Sequence, residues 1–131
     1  MNIYLETNSQ SKQLKFQNIK KIGRDYECFL IVESRGFCAA RFFYFDEYYL
    51  KLFLEKIIEM DLKFEGQAVL KNEFEDDQIS IVCEKTGHII VSGSLFEHSE
   101  YSQNLTFCFQ TDQTVLKHLI QDFLKLSNSS K

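Results

Sequence analysis

The sequence has no proline and only five glycines, the residues that build flexible linkers and phosphate-binding loops. With so few of them no linker can be placed, and we expect residues 1–131 to form a single domain whose last residues, 126–131, fray. No sequence repeat is found. The scattered glycines form no GxGxxG loop, and HExxH, CxxC and nucleophile-elbow motifs do not occur either. The sequence therefore predicts no cofactor, no metal site and no catalytic residue, and we do not expect an enzyme.

Long apolar runs and excess basic charge are also missing. No run approaches the roughly 20 apolar residues of a membrane-spanning helix, and the first residues lack the order of a secretory signal. We therefore expect a cytoplasmic protein with no membrane partner. The 15 Lys and Arg are outnumbered by 19 Asp and Glu, for a formal net charge of −4. Because nucleic-acid grooves depend on clustered basic residues, we expect no nucleic-acid partner; Lys20, Lys21 and Arg24 are interpreted as a solvated strand end.

Aromatic residues are plentiful, with 13 Phe and 6 Tyr, and we expect their rings to form much of the core. The four cysteines each lie in an apolar run that is typical of a strand. Without a second cysteine or a histidine at metal-ligand spacing, they are interpreted as free cysteines of the core: Cys28, Cys38, Cys83 and Cys108.

Hydrophobic periodicity predicts an α+β fold, a mainly antiparallel β-sheet of about 6–8 strands packed against a central helix and a C-terminal helix. Alternating or β-branched runs predict strands at 2–6, 13–22, 28–34, 36–45, 65–72, 78–85, 88–97 and 104–111. The run after Asp46 has helical spacing, with Asp46 as N-cap and an apolar face from Tyr49 to Ile58. A second amphipathic helix is predicted for 112–126, capped by Thr111 or Asp112.

Histidine is the residue that most often signals catalysis, so the stretch KTGHIIVSG raises the question of His88. It directly follows a Thr-Gly turn at the start of a predicted strand, where a ring is typically packed and hydrogen-bonded. His98 and His118 fall in a polar loop and in a helix. None of the three has a Ser, Cys or Asp at a recognised catalytic spacing, so we interpret His88 as a structural residue.

Two acidic segments are the candidate binding residues. The first lies between two predicted strands, and the second follows the His88 strand and includes a tyrosine, a residue favoured at binding hot spots. A solvated turn explains either segment, but carboxylates also steer and orient a basic partner. The calcium-loop spacing is not met. The candidate residues are Glu73, Glu75, Asp76, Asp77, Glu97, Glu100 and Tyr101, and the next candidate is a face bearing Tyr44, Tyr48 and Tyr49.

Three segments, FEGQAVL, KTGHIIVSGSL and LTFCFQTDQTVLKHLIQDF, together resemble the WapI-like family of small bacterial immunity proteins. The resemblance spans roughly residues 46–126, and the order of the three segments is more specific than any one of them. It implies a cytoplasmic antitoxin that binds the toxic C-terminal domain of a polymorphic or contact-dependent growth inhibition toxin during bacterial competition. It also implies that toxin contacts lie on loops and exposed faces and that the residues shared with the family serve the fold. These shared residues are Gly87, His88, Gly93, Asp112 and Gln113.

Stoichiometric binding to a cognate toxin, with a nuclease as the expected target, is therefore the leading hypothesis. The alternative is a non-catalytic regulatory or ligand-binding module whose aromatic-rich sheet encloses a small apolar molecule. A stable equimolar complex with a toxin domain would favour the first hypothesis, and a bound small ligand would favour the second.

Overall fold

The computed structural model describes residues 1–7, 12–99 and 101–129 and has the predicted α+β architecture, with eight antiparallel strands and two helices. The elements in chain order are β1 (Ile3–Glu6), β2 (Lys12–Ile22), β3 (Asp25–Ser34), β4 (Phe37–Asp46), α1 (Glu47–Lys63), β5 (Gly66–Lys71), β6 (Gln78–Cys83), β7 (His88–Glu97), β8 (Gln103–Asp112) and α2 (Gln113–Ser129). The predicted elements are thus confirmed, with small shifts of their bounds.

The strands form two four-stranded sheets, β1-β2-β3-β4 and β5-β6-β7-β8, in which each strand pairs with its neighbours in the chain. Each sheet is followed by a helix of 17 residues, so the order of elements occurs twice. This structural repeat was not predicted, since the sequence itself shows no repeat. Leu116 lies 66 residues after Leu50, and the same step of 66 relates the other four buried residues of α1 to those of α2. What repeats is the spacing of the buried positions, and many apolar residue types can occupy such positions.

Both helices begin at an aspartate that ends the preceding strand. The Asp46 carboxylate accepts a hydrogen bond from the backbone N–H of Tyr49 at 2.8 Å, and the Asp112 carboxylate accepts one from the N–H of Thr114 at 2.9 Å. A side-chain oxygen that takes up an unpaired N–H stabilises the first turn. The two predicted caps are confirmed, but Tyr49, which was assigned to the apolar face, is exposed.

Helix α2 extends beyond its predicted end. It reaches Ser129, and Leu126 is buried, so the prediction that the chain frays from residue 126 is wrong for 126–129. Leu126 is in phase with Phe123, one turn earlier on the same face, and this contact surface keeps the last turns helical. Residues 130 and 131 lie outside the described part.

The core joins the two repeats through aromatic rings. Phe123 of α2 contacts Phe16 of β2 and Phe53 of α1 edge to face, with ring centroids 5.4 and 5.6 Å apart. Helix α2 packs against β1 as well as against α1, and α1 packs against β5. Each helix therefore contacts the first strand of the other repeat.

On β8, Phe107 and Phe109 lie on the same face of the strand and are both buried. The four cysteines do not share one environment. Cys28 and Cys83 are buried, whereas Cys38 and Cys108 are exposed, so the interpretation of all four as core residues is wrong. Cys38 and Cys108 lie on strands with apolar residues on both faces, and their runs alone do not show which face is covered.

Candidate partner-binding surfaces

The first candidate segment forms the loop between β5 and β6, residues 72–77, called here the acidic loop. Asp77 at its end is only 1% exposed. Its Oδ1 accepts a hydrogen bond from the backbone N–H of Phe96 at 2.7 Å, and its Oδ2 lies 3.4 Å from the donor Nδ2 of Asn72 and 3.7 Å from Nε of Arg41. Asp77 is therefore an internal anchor, and its assignment as a partner contact is wrong.

Arg41 of β4 ties the two sheets together. It faces Asp77 at the end of the acidic loop, and its guanidinium Nη1 donates a 2.7 Å hydrogen bond to Oε2 of Glu97 at the end of β7. The Glu97 side chain remains 42% exposed. Because this carboxylate is already paired with Arg41, it has less attraction to offer a partner than sequence reasoning supposed. Arg41 Nε is buried and has no hydrogen bond among the described residues.

The acidic loop is also fastened to the free edge of β4. Asn72 donates from Nδ2 to the carbonyl of Phe42 at 3.1 Å, and the N–H of Glu73 donates to the carbonyl of Tyr44 at 2.7 Å. These bonds fix the position of the exposed residues Glu73, Glu75 and Asp76. The loop is thus a preorganised acidic projection, which sequence alone did not predict.

The two predicted acidic segments lie next to each other. Nε2 of His98 is 3.7 Å from Oδ2 of Asp76, and the His98 ring stacks on Phe96 with centroids 5.7 Å apart. Tyr101 is 76% exposed, as a contact residue should be. Glu100, the remaining predicted residue of this segment, lies outside the described residues.

Glu73 belongs to a group of carboxylates at one end of the β3–β4 hairpin. Desolvation, a hydrogen bond with Asp25 and the negative charges of Asp25 and Asp46 raise the pKa of the Glu73 carboxyl above its usual value. Asp25 and Asp46 are paired residues of β3 and β4. Since like charges at short range repel, this end of the hairpin favours a cation.

The outward side of the hairpin carries apolar residues that sequence reasoning missed. Leu30 and Phe43 point into the core, so the alternate residues on each strand point outward. Phe29 and Phe42 face each other across the strands with centroids 5.2 Å apart. Phe42 is 63% exposed. The outward residues Phe29, Ile31, Ala40, Phe42 and Tyr44 are called here the hairpin face.

Tyr44 links the hairpin face to the acidic loop, because its ring contacts that of Phe74 at 5.3 Å, and Phe74 is 64% exposed. Tyr48 and Tyr49, which were grouped with Tyr44 as the next candidate, form an exposed pair on the first turn of α1 with centroids 5.5 Å apart. The run RFFYF held the signal for the face, since every second residue of it must point away from the core.

His88 does not have the environment predicted for it. The residue is exposed, and no hydrogen bond of its imidazole is found within the described ranges; its carbonyl accepts one from the N–H of Glu84 at 3.0 Å. The expected packed, hydrogen-bonded ring is therefore wrong, and the position contributes through its backbone. The ring borders an open depression of about 770 Å³ together with Lys12, Arg35 and Asp112.

Within residues 1–7, 12–99 and 101–129, no group of three or more His, Cys, Asp or Glu side chains is placed to hold a metal ion. In the same part of the chain, neither helix has the length and apolar content to span a membrane. No protein-family model, no curated protein sequence and no solved structure matches this chain.

Proposed function

We propose that this chain is a cytoplasmic immunity protein that binds the toxic domain of a bacterial toxin, with a nuclease as the expected target, and neutralises it by forming a stoichiometric complex. The observation that carries the proposal is the preorganised acidic loop beside exposed aromatic rings. Glu73, Glu75 and Asp76 project from a loop fastened to β4, and Phe74 of the same loop packs on Tyr44. Aromatic residues are enriched at binding hot spots.

Charge supports a basic target. The protein has a formal net charge of −4, and carboxylates that face Lys and Arg accelerate association and orient the partner. A nuclease presents a basic cleft to its phosphate-rich substrate, so an acidic inhibitor can occupy that cleft or cover its entrance. The resemblance to WapI-like immunity proteins agrees with this function.

The alternative, a module that encloses a small apolar ligand in an aromatic-rich sheet, finds less support. The rings expected to line such a cavity pack on one another, as Phe16, Phe53 and Phe123 do. The surface aromatic residues lie on strands and loops open to solvent, which suit a protein partner better than a ligand that must be largely enclosed.

The test is co-expression of the chain with the C-terminal toxin domain encoded by the adjacent reading frame, followed by purification and a growth assay. We expect an equimolar complex and restored growth of cells that express the toxin domain. An unrelated toxin domain is the control and should neither bind nor be neutralised. Continued toxicity with no complex, at equal expression of both chains, contradicts the proposal.

A further inference from the structure

We propose that the hairpin face is the docking surface for the partner, and that it receives a folded protein surface with an apolar strip bordered by Lys and Arg. This inference rests on the proposed function, since it names where and by what chemistry the partner binds. It differs from the expectation drawn from sequence, in which two acidic segments were the first candidates and a face bearing Tyr44, Tyr48 and Tyr49 was the next.

The apolar part of the surface is continuous. In the register of the hairpin, Phe29 lies opposite Phe42 and Ile31 lies opposite Ala40, so four apolar side chains adjoin on one side of the sheet. Phe42 contacts the Phe29 ring and yet stays 63% exposed. The other side of this sheet faces the core, where Leu30 and Phe43 are buried. An exposed apolar strip with a polar rim is typical of a protein-binding surface.

The rim determines the sign of the partner's charge. Glu27 lies opposite Tyr44 and Glu33 lies opposite Cys38 in the hairpin register, so a carboxylate stands at each end of the apolar strip. The group of Glu73 with Asp25 extends the negative end. On the β2 side, Lys20 lies opposite Glu27 and offsets part of its charge, so Glu33 and the group of Glu73 with Asp25 carry most of the negative rim. Lys15 lies next to Ile31 but directs Nζ over the Tyr4 ring, 5.9 Å from its centroid. A partner that pairs Lys or Arg with these carboxylates gains attraction, whereas an acidic partner is repelled.

The size of the surface is compatible with a protein partner. The outward side of β2, β3 and β4 is about 33 Å long, since β3 and β4 have 10 residues each, and its area at a width of three strands is roughly 450 Å². The hairpin face, about 20 Å long between Glu27 and Glu33 and two strands wide, is its apolar centre of roughly 200 Å². Since a stable interface takes about 800 Å² from each partner, the acidic loop with Phe74 must contribute as well, and its contact with Tyr44 places it in continuity with the face.

Two native cysteines, Cys38 and Cys108, can report on the docking surface. Cys38 lies on β4 in phase with Ala40 and Phe42, and Cys108 lies on β8 of the other sheet; both are free and exposed. We expect the toxin domain to slow alkylation of Cys38 at least tenfold while Cys108 keeps its rate. The measurement is mass spectrometry of the alkylated wild-type chain, alone and in the complex with the toxin domain encoded by the adjacent reading frame.

A pair of variants tests the energetics. Phe42→Ala is expected to raise the dissociation constant at least tenfold, chiefly through faster dissociation. The variant should remain folded, because the exposed ring contributes little to folding. Val69→Ala is the matched control, since Val69 is a partly exposed apolar residue of β5 on the other sheet, and it should bind like wild type. Glu27→Lys together with Glu33→Lys should slow association, and raising the salt concentration should have the same effect on the wild type.

The outcomes separate the two proposals. If the wild type binds and neutralises the toxin while Cys38 stays fully reactive and Phe42→Ala binds normally, the docking surface is wrong and the immunity function stands. If the wild type does not bind, both fall. If Cys38 is protected in the isolated chain, the protein sediments as a dimer and Phe42→Ala makes it monomeric, then the face joins two copies, which overturns the docking proposal.

Discussion

Replacing Asp77 by alanine should lower the free energy of unfolding by about 3–5 kcal/mol, the usual cost of removing one partner from a buried ion pair. The side chain is 1% exposed, so water cannot take its place. Its loss leaves the N–H of Phe96 without the acceptor that now lies at 2.7 Å, which alone costs about 1.5–3 kcal/mol for a bond to a charged group. The remainder comes from Arg41, whose buried Nε loses the nearby carboxylate.

Two further variants make the reasoning about Asp77 specific. Asp77→Asn keeps an oxygen for Phe96 but removes the charge opposite Arg41, so its loss should be smaller than that of Asp77→Ala. Asp76→Ala is the matched control one residue away, and it should change stability by less than about 0.5 kcal/mol because that side chain is exposed. The assay is urea unfolding at neutral pH; by thermal unfolding the Asp77→Ala loss corresponds to roughly 10–20 °C.

A double-mutant cycle with Arg41→Met decides whether the ion pair is the cause. Removing both charges should cost less than the sum of the single losses, since neither group is then left buried and unpaired. Equal effects of Asp77→Ala and Asp76→Ala, or strict additivity with Arg41→Met, would refute the assignment of Asp77 as an internal anchor.

Three other perturbations follow from the packing. Gly93→Ala should destabilise by about 1–3 kcal/mol, because an added Cβ would lie 2.4 Å from the carbonyl oxygen of Gln78 and 2.8 Å from the Phe107 ring; thermal unfolding measures the loss. Gln113→Ala should lower the free energy of unfolding by about 1 kcal/mol. The Gln113 amide donates to the carbonyl oxygen of Asp61 at 3.1 Å and to its carboxylate Oδ1 at 3.3 Å, near the end of α1. Of the four thiols, the two exposed ones should react with an alkylating reagent in the native protein. Burial, with a smaller contribution from Glu27, raises the pKa of Cys28 to about 12, so this thiol should react only on unfolding. The free energy of unfolding should fall as the pH rises above about 9, because the thiol then ionises in the unfolded chain but not in the folded one.

Each of these expectations has its own control. Ser94→Ala, on the same strand as Gly93, should leave the melting temperature nearly unchanged, and an equal drop for both would point to a general sensitivity of β7. Gln110→Ala removes an exposed amide near α2 and should be neutral. Alkylation in denaturant must modify all four thiols; modification of three or four in the native state would contradict the burial of Cys28 and Cys83.

The secondary structure could be predicted because it depends on local spacing. The alternation in β2 and β8 and the helical period of α1 and α2 are properties of ten to seventeen consecutive residues. The division into two sheets could not be predicted this way, since alternation gives the phase of one strand and says nothing of which other strand lies beside it. The element order repeats without a visible sequence repeat for a related reason, as Phe53 and Leu119 or Ile57 and Phe123 meet the same requirement for burial with different residue types.

The binding surfaces were predicted less well, and the reason is long-range contact. Asp76 and Asp77 are chemically identical neighbours in one acidic run. Only contacts with distant residues, Phe96 and Arg41, make Asp77 internal, and Arg41 lies 36 positions before it in the sequence. The same holds for Phe42 and Phe43. The Phe43 ring is buried in the core and the Phe42 ring faces outward, a difference set by the sheet's orientation and not by the residues themselves.

The contact of α2 with β1 has a consequence for synthesis. Strands β1 and β2 leave the ribosome long before α2, yet Phe16 meets Phe123 and β1 meets its helical cover only once α2 has been made. One apolar face of the first sheet therefore lacks its covering helix while more than half of the chain is translated. The native core is completed only after α2 emerges, so a nascent chain that stops before α2 cannot reach the native fold and exposes an aggregation-prone sheet to chaperones.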